Sequence, residues 1–203
     1  MPKILLTGGS GLLGQELIKY LNCDTPSHKE LDVTKEMKPR DDYDIVIHAA
    51  AYTDVPKAEI EKEECFKVNV LGTLNMVKAF PKAKFIHIST EYVKNPVNFY
   101  SWTKVWAEEM VLMHHNSSLI IRTSFKPNPF PWQFAFIDQY TTADYVDIIA
   151  PKIAAAVLSN LFGVKAIGTG RKTIFELARR TKPDIKGISV DDIKDVKLPK
   201  DYE

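Results

Sequence analysis

The stretch Lys3-Ile-Leu-Leu-Thr-Gly-Gly-Ser-Gly-Leu-Leu-Gly-Gln15 decides how the chain is read. Ile4 to Leu6 is an apolar run of strand length. Small residues follow, and Leu12, Leu13, Leu17, Ile18 and Leu21 then recur on one side of a helix. Strand, glycine turn and helix in that order open a doubly wound α/β unit. The turn satisfies two spacings at once, G-x-G-x-x-G through Gly9, Gly11 and Gly14, and T-G-x-x-G-x-x-G through Thr7, Gly8, Gly11 and Gly14. Gly8 and Gly11 leave no Cβ between the main chain and a phosphate, and Gly14 lets the helix lie close against the strand. A pyrophosphate would then meet free N–H groups and the positive end of the helix dipole. Without a ligand, the same pattern is simply a tight turn.

Working outward, 203 residues supply one α/β core and leave no room for a large second domain. The expected architecture is a Rossmann-type doubly wound parallel sheet forming a single domain over residues 1–203. Residues 125–145 and 165–203 would contribute a reduced substrate-binding appendage. A formal charge of +1, from 27 basic and 26 acidic residues spread along the chain, gives no electrostatic footprint for nucleic acid or an anionic membrane. Cys23 and Cys65 form no C-x-x-C pair and read as incidental thiols of a reducing compartment. The first strand leaves no space for a signal peptide, and no apolar run approaches the ~18 residues of a membrane span. The expectation is a soluble, cytoplasmic protein without a metal.

After the first helix the polar segment Asn22 to Val33 has room for only a short second strand, placed near Ser27 to Lys29. The end of that strand faces the adenine ribose in dinucleotide sheets, where a cation suits a 2′-phosphate. Ser27-His28-Lys29 therefore points to NADPH over NADH; solvated loop residues are the plain alternative. Asp44-Ile-Val-Ile-His-Ala-Ala-Ala51 is the next buried strand, its alanines letting a flat cofactor approach the backbone. His48, inside the apolar run, reads as a core histidine. Glu59 to Phe80 is expected to be one long amphipathic helix.

Phe85 to Thr90 is a strand that delivers Ser89, Thr90, Glu91 and Tyr92 toward the same crevice. Tyr100-Ser-Trp-Thr-Lys104 then opens a helix running to about Met113. Residues four apart share a helical face, so the phenol and the ammonium project side by side. Leu119 to Ser124 is a further strand. Phe125 to Phe136 carries Pro127, Pro129 and Pro131 among aromatics, and reads as a lid, a subunit contact or a loop pinned to the core. Asp144 to Leu161 is expected as helix and Val164 to Ile167 as a last strand. Thr173 with Glu176 forms a capping-box pattern at the start of a helix to Arg180. Trp102, Trp106 and Met110 make a stripe that faces either a second copy or the chain's own sheet.

These motifs, together with Asn69-x-x-Gly72-Thr73, Glu30-Leu-Asp-Val-Thr34, Arg122-Thr-Ser124 and Asp138-Gln-Tyr140, occur in the order of the extended short-chain dehydrogenase/reductases. More narrowly the chain resembles the dTDP-4-dehydrorhamnose reductase group, over residues 3 to about 180. The resemblance implies a Rossmann fold and an NAD(P)H-dependent reductase of the 4-keto group of a deoxysugar nucleotide. It implies a catalytic set of Thr90, Tyr100 and Lys104. Gly8, Ser10, Gly11, Leu12, Leu13, His28, Asp32, Val33, Ala49, Ala50 and Ala51 would hold the cofactor with Tyr100 and Lys104. Glu91, Tyr92 and Phe125 would face the sugar, and Asn69 would join through a water. Reduction needs an acid beside the carbonyl oxygen, and Lys104 with the oxidised cofactor would lower a phenol that ordinarily titrates near ~10.

The chain departs from the group in several places, among them a shorter stretch between Ser124 and Asp138. Only seven residues separate Tyr92 from Tyr100, Phe125 stands where tryptophan is usual, and Glu91 replaces aspartate. Two alternatives follow: an epimerase or dehydratase of the same superfamily, or a non-catalytic cofactor-binding regulatory subunit. A homodimer is expected through the helices that start near Glu59 and Tyr100.

Overall fold

The computed structural model describes residues 1–202. Its centre is a five-stranded parallel sheet. β1 (Ile4–Thr7) is followed by α1 (Leu12–Leu17), then by β2 (Ile45–His48), with Ile4 opposite Ile45 and Thr7 opposite His48. The chain continues through α2 (Val55–Ala58), α3 (Lys62–Phe66), a π turn (Lys67–Leu71) and α4 (Gly72–Ala79). β3 (Lys84–Thr90), a 3-10 turn (Glu91–Lys94), α5 (Phe99–His114) and β4 (Ser118–Thr123) come next. Short β5 (Phe125–Lys126), β6 (Phe134–Phe136), β7 (Tyr140–Thr141) and β8 (Asp144–Tyr145) precede α6 (Val146–Leu158) and β9 (Gly163–Ile167). β10 (Lys172–Thr173), α7 (Ile174–Arg179), β11 (Lys186–Ile188) and a 3-10 turn (Val190–Asp192) follow. The main sheet runs β1-β2-β3-β4-β9.

Strand alternation builds two cores. Ile4, Leu6, Ile45, Ile47, Ile86 and Ile88 face α1 and α6, meeting Leu13, Leu17, Ile149 and Ile153. Leu5, Val46, Phe85 and Ile120 face the other way, onto Met76 and Val77 of α4, Phe80 just after it and Val111 of α5. Helices on both faces with parallel strands between them make this a Rossmann-type sheet, as expected.

Three expectations change. No strand forms at Ser27 to Lys29; the second strand shrinks to one parallel bridge, Leu5 to Asp24. Asp24 accepts from the Leu6 N–H and donates to the Ile4 carbonyl, after which Ser27 closes a turn by donating to the Glu30 carboxylate. A polar segment with a local acceptor satisfies its backbone in a turn rather than a ladder. The helix expected from Glu59 begins only at Lys62, after separate α2, and is interrupted by the π turn that holds Asn69. The helix expected from Asp144 begins at Val146, because Asp144 and Tyr145 pair with Phe125 and Lys126.

The segment after Ser124 is woven into a small second layer. β5 pairs with β8, β7 with β10 and β6 with β11. Phe130, Ala135, Tyr145, Ile174 and Leu177 form its core, so the proline-rich loop is pinned there through Phe130 while Trp132 and Phe134 stay exposed. The capping box at Thr173 and Glu176 is present in both directions. Among the described residues, no helix is long and apolar enough to cross a membrane.

Candidate active site

The glycine turn is tight for reasons that can be read atom by atom. Gly8 has φ +72°, and a Cβ on it would lie 2.7 Å from the Ala50 nitrogen. A Cβ on Gly14 would lie 2.3 Å from the Gly8 carbonyl oxygen. Ser10, Gly11 and Leu12 are exposed at the mouth of this turn, Leu13 is buried beneath it, and no side chain caps the start of α1. The turn therefore presents uncovered backbone and no competing side-chain acceptor, which fits a dinucleotide pyrophosphate. Half-buried Ala49, Ala50 and Ala51 line the adjoining end of β2. His48 lies below them as a core residue, Nδ1 at 2.9 Å from the Thr7 hydroxyl and Nε2 at 3.1 Å from that of Thr73. Burial holds its pKa down to about 3.

In the turn after the Asp24 bridge, His28 is exposed and stands 3.9 Å from the Asp32 carboxylate. That carboxylate accepts from the Thr34 hydroxyl and N–H, which holds its pKa below the usual range. Val33 is buried in the core against α4. Thr25, which the sequence reading passed over, packs where a Cβ on Gly9 would sit.

The second half of the site stands at the carboxyl end of β3. Thr90 accepts from the Tyr92 N–H at 3.3 Å and so caps the 3-10 turn. Asn98 and Ser101 form a reciprocal capping box that starts α5, and the Phe99 N–H donates to Glu59 at 2.6 Å. These caps place Tyr100 in the first helical turn, buried against Cys65, Tyr52 and Tyr92. Burial pushes the Tyr100 phenol well above its ordinary pKa, and the neighbouring Thr90 side chain works against that rise. Thr90 and Tyr100 are thus brought together.

Lys104 shares the buried face of α5 with Tyr100. Its Nζ turns toward the sheet, donating to the Ile88 carbonyl at 2.9 Å and lying 3.3 Å from His87 Nε2. Burial sets the direction of the Tyr100 shift. Burial also lowers Lys104 itself, to about 8. Arg122 forks onto Glu108 of the same helix at 2.6 and 3.0 Å, and Ser89 donates to Glu108 at 2.5 Å. Buried carboxylate, arginine and serine tie α5 to β3 and β4, which fixes the helix that carries Tyr100 and Lys104.

The residues expected near the sugar have structural partners. Buried Glu91 accepts from the hydroxyls of Thr141 and Thr142 and from the Thr142 N–H. Half-buried Phe125 packs against the α1 and α6 core. Tyr92 stacks on Tyr202, in a tail that the sequence reading did not connect to the site. Asn69 spends its amide on Tyr52 N and O and on Thr103, pinning the loop after β2 to α5.

A sequence profile described as the RmlD substrate binding domain matches residues 2–126, well over half of the chain. The chain belongs to the RmlD family. Among its relatives, the dTDP-4-dehydrorhamnose reductase of Mycolicibacterium smegmatis is 32% identical over 148 residues, covering 61% of this chain and 45% of that protein. The chain spans about half the length of the curated relatives it matches. The crystal structure of a hypothetical dTDP-4-dehydrorhamnose reductase from Sulfolobus tokodaii matches with TM-score 0.81 and 28% identity, covering 98% of this chain and 90% of that one. The reductase of Bacillus anthracis, solved in complex with NADP, shares the fold at TM-score 0.83 and 24% identity, over 99% of this chain and 89% of that one. The RmlD profile covers both the glycine turn and the Thr90, Tyr100 and Lys104 set.

Proposed function

We propose that this RmlD-family chain is a reductase of the 4-keto group of a deoxysugar nucleotide, acting in the cytoplasm with NADPH in preference to NADH. The observation that carries the reading is the Thr90 and Tyr100 pair at the carboxyl end of β3, one helical turn from Lys104. Gly8, Ser10, Gly11, Leu12 and Leu13 would hold the pyrophosphate. Asp32 and Val33 would flank the adenine, and Ala49 to Ala51 would line the cofactor's path. The bound nicotinamide supplies the hydride. The chain's own task is the proton. A phenol held well above its ordinary pKa is protonated at neutral pH, the state an acid must start from. Tyr100 would donate to the carbonyl oxygen while the Thr90 hydroxyl polarises it.

Glu91, Tyr92 and Phe125 would bound the sugar, with residues 125–145 and 165–203 as the reduced substrate part. NADPH preference is supported by exposed His28 and Lys29 at the adenine end and by the NADP bound to the Bacillus anthracis relative. A dehydratase needs a free acid beside the threonine, and Glu91 is spent on Thr141 and Thr142. The stripe of Trp102 and Trp106, 44% and 37% exposed, turns away from the sheet and would pair two copies through α5.

The test is oxidation of NADPH on adding dTDP-4-dehydrorhamnose, with and without Tyr100→Phe. The proposal expects turnover that falls by roughly 10²–10⁴-fold in the variant while cofactor affinity holds. Full activity in Tyr100→Phe removes the assigned acid. Tight cofactor binding without turnover on a panel of 4-keto sugars favours the regulatory reading instead.

A further inference from the structure

Lys104 has an unusual companion. His87 lies on β3, 1% exposed, with Nε2 at 3.3 Å from the lysine Nζ, while its other ring nitrogen, Nδ1, is buried without a hydrogen-bond partner. The ring lies beside that of His48, centroids 5.6 Å apart, whose own nitrogens are taken by Thr7 and Thr73. The lysine donates its other hydrogen bond to the Ile88 carbonyl at 2.9 Å.

A neutral imidazole can meet an amine in two ways. Toward an ammonium, Nε2 must accept, which puts the ring proton on Nδ1 and leaves a buried N–H orphaned. Toward a neutral amine, Nε2–H donates to the Nζ lone pair, and only an acceptor is left unpaired at Nδ1. Orphaned buried N–H groups are the rarer and costlier of the two.

We propose that His87 is the positioning residue of Lys104: a neutral imidazole that exchanges tautomers as the lysine gains or loses its proton, holding Nζ in one place in both charge states. The lysine's proton comes from and returns to water; the imidazole ends each exchange with the same number of protons. The role assigned to Lys104 rests on the reading given under Proposed function. The tautomer exchange does not.

The surroundings support a neutral ring. Burial, then Lys104, then His48 hold His87 well below the ordinary histidine value, so it does not become an imidazolium. The groups facing Lys104 are His87 on β3, His48 on β2, Cys65 on α3 and Glu108 on its own helix. Burial lowers the lysine to about 8 against the upward pull of Glu108 and Cys65. Its exchange therefore falls in a range where the protein can be studied.

Nitrogen NMR of histidine-labelled full-length chain between pH 6 and 10, without cofactor, reads the tautomer directly. The expected result is Nδ1–H at the acid end and Nε2–H at the alkaline end, with the change following the Lys104 side-chain titration. A single tautomer throughout, or an imidazolium, overturns the proposal. A second arm uses His87→Gln, whose amide offers the ammonium an acceptor without an orphaned N–H. The Lys104 titration should move up by about one unit, a tenfold change in its proton affinity, and the alkaline limb of NADPH oxidation should move with it. An unmoved titration in a folded variant overturns the proposal. Where His87→Gln fails to fold, the tautomer spectra of the unaltered chain decide. A tautomer exchange in a chain that reduces no 4-keto sugar leaves this inference standing and removes the functional one.

Discussion

The ring of Tyr202 stacks on that of Tyr92, centroids 4.8 Å apart and 16° from parallel, and Tyr92 meets Tyr100 edge-on at 6.2 Å. The end of the described chain therefore closes the aromatic surround of the proposed acid. Asn98 donates to the Lys197 carbonyl and Gln139 to that of Pro199, which leads the tail to this point. Tyr202→Ala should cost about 3 kcal/mol in urea unfolding through lost burial. Tyr202→Leu, which keeps most of the apolar volume, should cost about 1 kcal/mol, the part owed to ring stacking. No cost for Tyr202→Leu beside a full cost for Tyr202→Ala would mean that the stack contributes nothing of its own.

Gly14 carries a steric prediction. A Cβ there meets three backbone atoms of Gly8 and Gly9 at 2.3 to 2.8 Å, and backbone cannot rotate aside as a side chain can. Gly14→Ala should open the turn, lower stability by roughly 2 kcal/mol and weaken NADPH binding at least tenfold by titration calorimetry. Gly170→Ala, with no atom within 4 Å of its Cβ, is the control and should change stability by no more than about 0.5 kcal/mol. Unaltered NADPH affinity in Gly14→Ala would place the cofactor elsewhere.

His48 sets an acid limit on the fold. Its folded pKa is about 3 because it is buried between Thr7 and Thr73, whereas the unfolded chain titrates near ~6.5. Between those values the unfolded state binds a proton that the folded state refuses, so stability is full above the unfolded value and falls as pH drops toward 3. The contribution lost between pH 7 and pH 5 is about 2 kcal/mol. His48→Gln should flatten the measured fall in unfolding free energy over that range by a similar amount. His87 acts in the same direction and remains in the variant.

Much of this was legible because it is local. Ile4 to Leu6, Asp44 to Ala51 and Phe85 to Thr90 are apolar runs bounded by turn residues, and the register of a parallel sheet follows once those runs are buried on both faces. Thr173 and Glu176 announce their helix within four residues. What was missed depends on partners far along the chain. Phe125 and Lys126 become a strand only because Asp144 and Tyr145 lie beside them, and Phe134 to Phe136 only because Lys186 to Ile188 return. Helical spacing puts Lys104 on the Tyr100 face, but its partners on the sheet, His87 and Ile88, belong to another element and are not legible from that spacing.

The last prediction concerns the outer face of α5. Buried Tyr100, Ser101, Thr103, Lys104, Ala107, Glu108 and Val111 point inward, which leaves Trp102 and Trp106 outward. The two indoles lie 6.3 Å apart, and Trp106 also meets Phe66 of α3 and Phe99 edge-on, so the rings form one continuous apolar surface. A rigid aromatic surface of this kind gains from being removed from water, and a two-fold axis through it would let each copy cover the other. Light scattering should therefore give the mass of two chains, and Trp106→Glu should give one, because two carboxylates would have to be desolvated at the contact. NADPH affinity should be unchanged in the monomer, since Trp106 stands on the helix face opposite Lys104. A one-chain mass for the unaltered protein across a wide concentration range would reject the pairing and leave the cofactor and proton-donor assignments untouched.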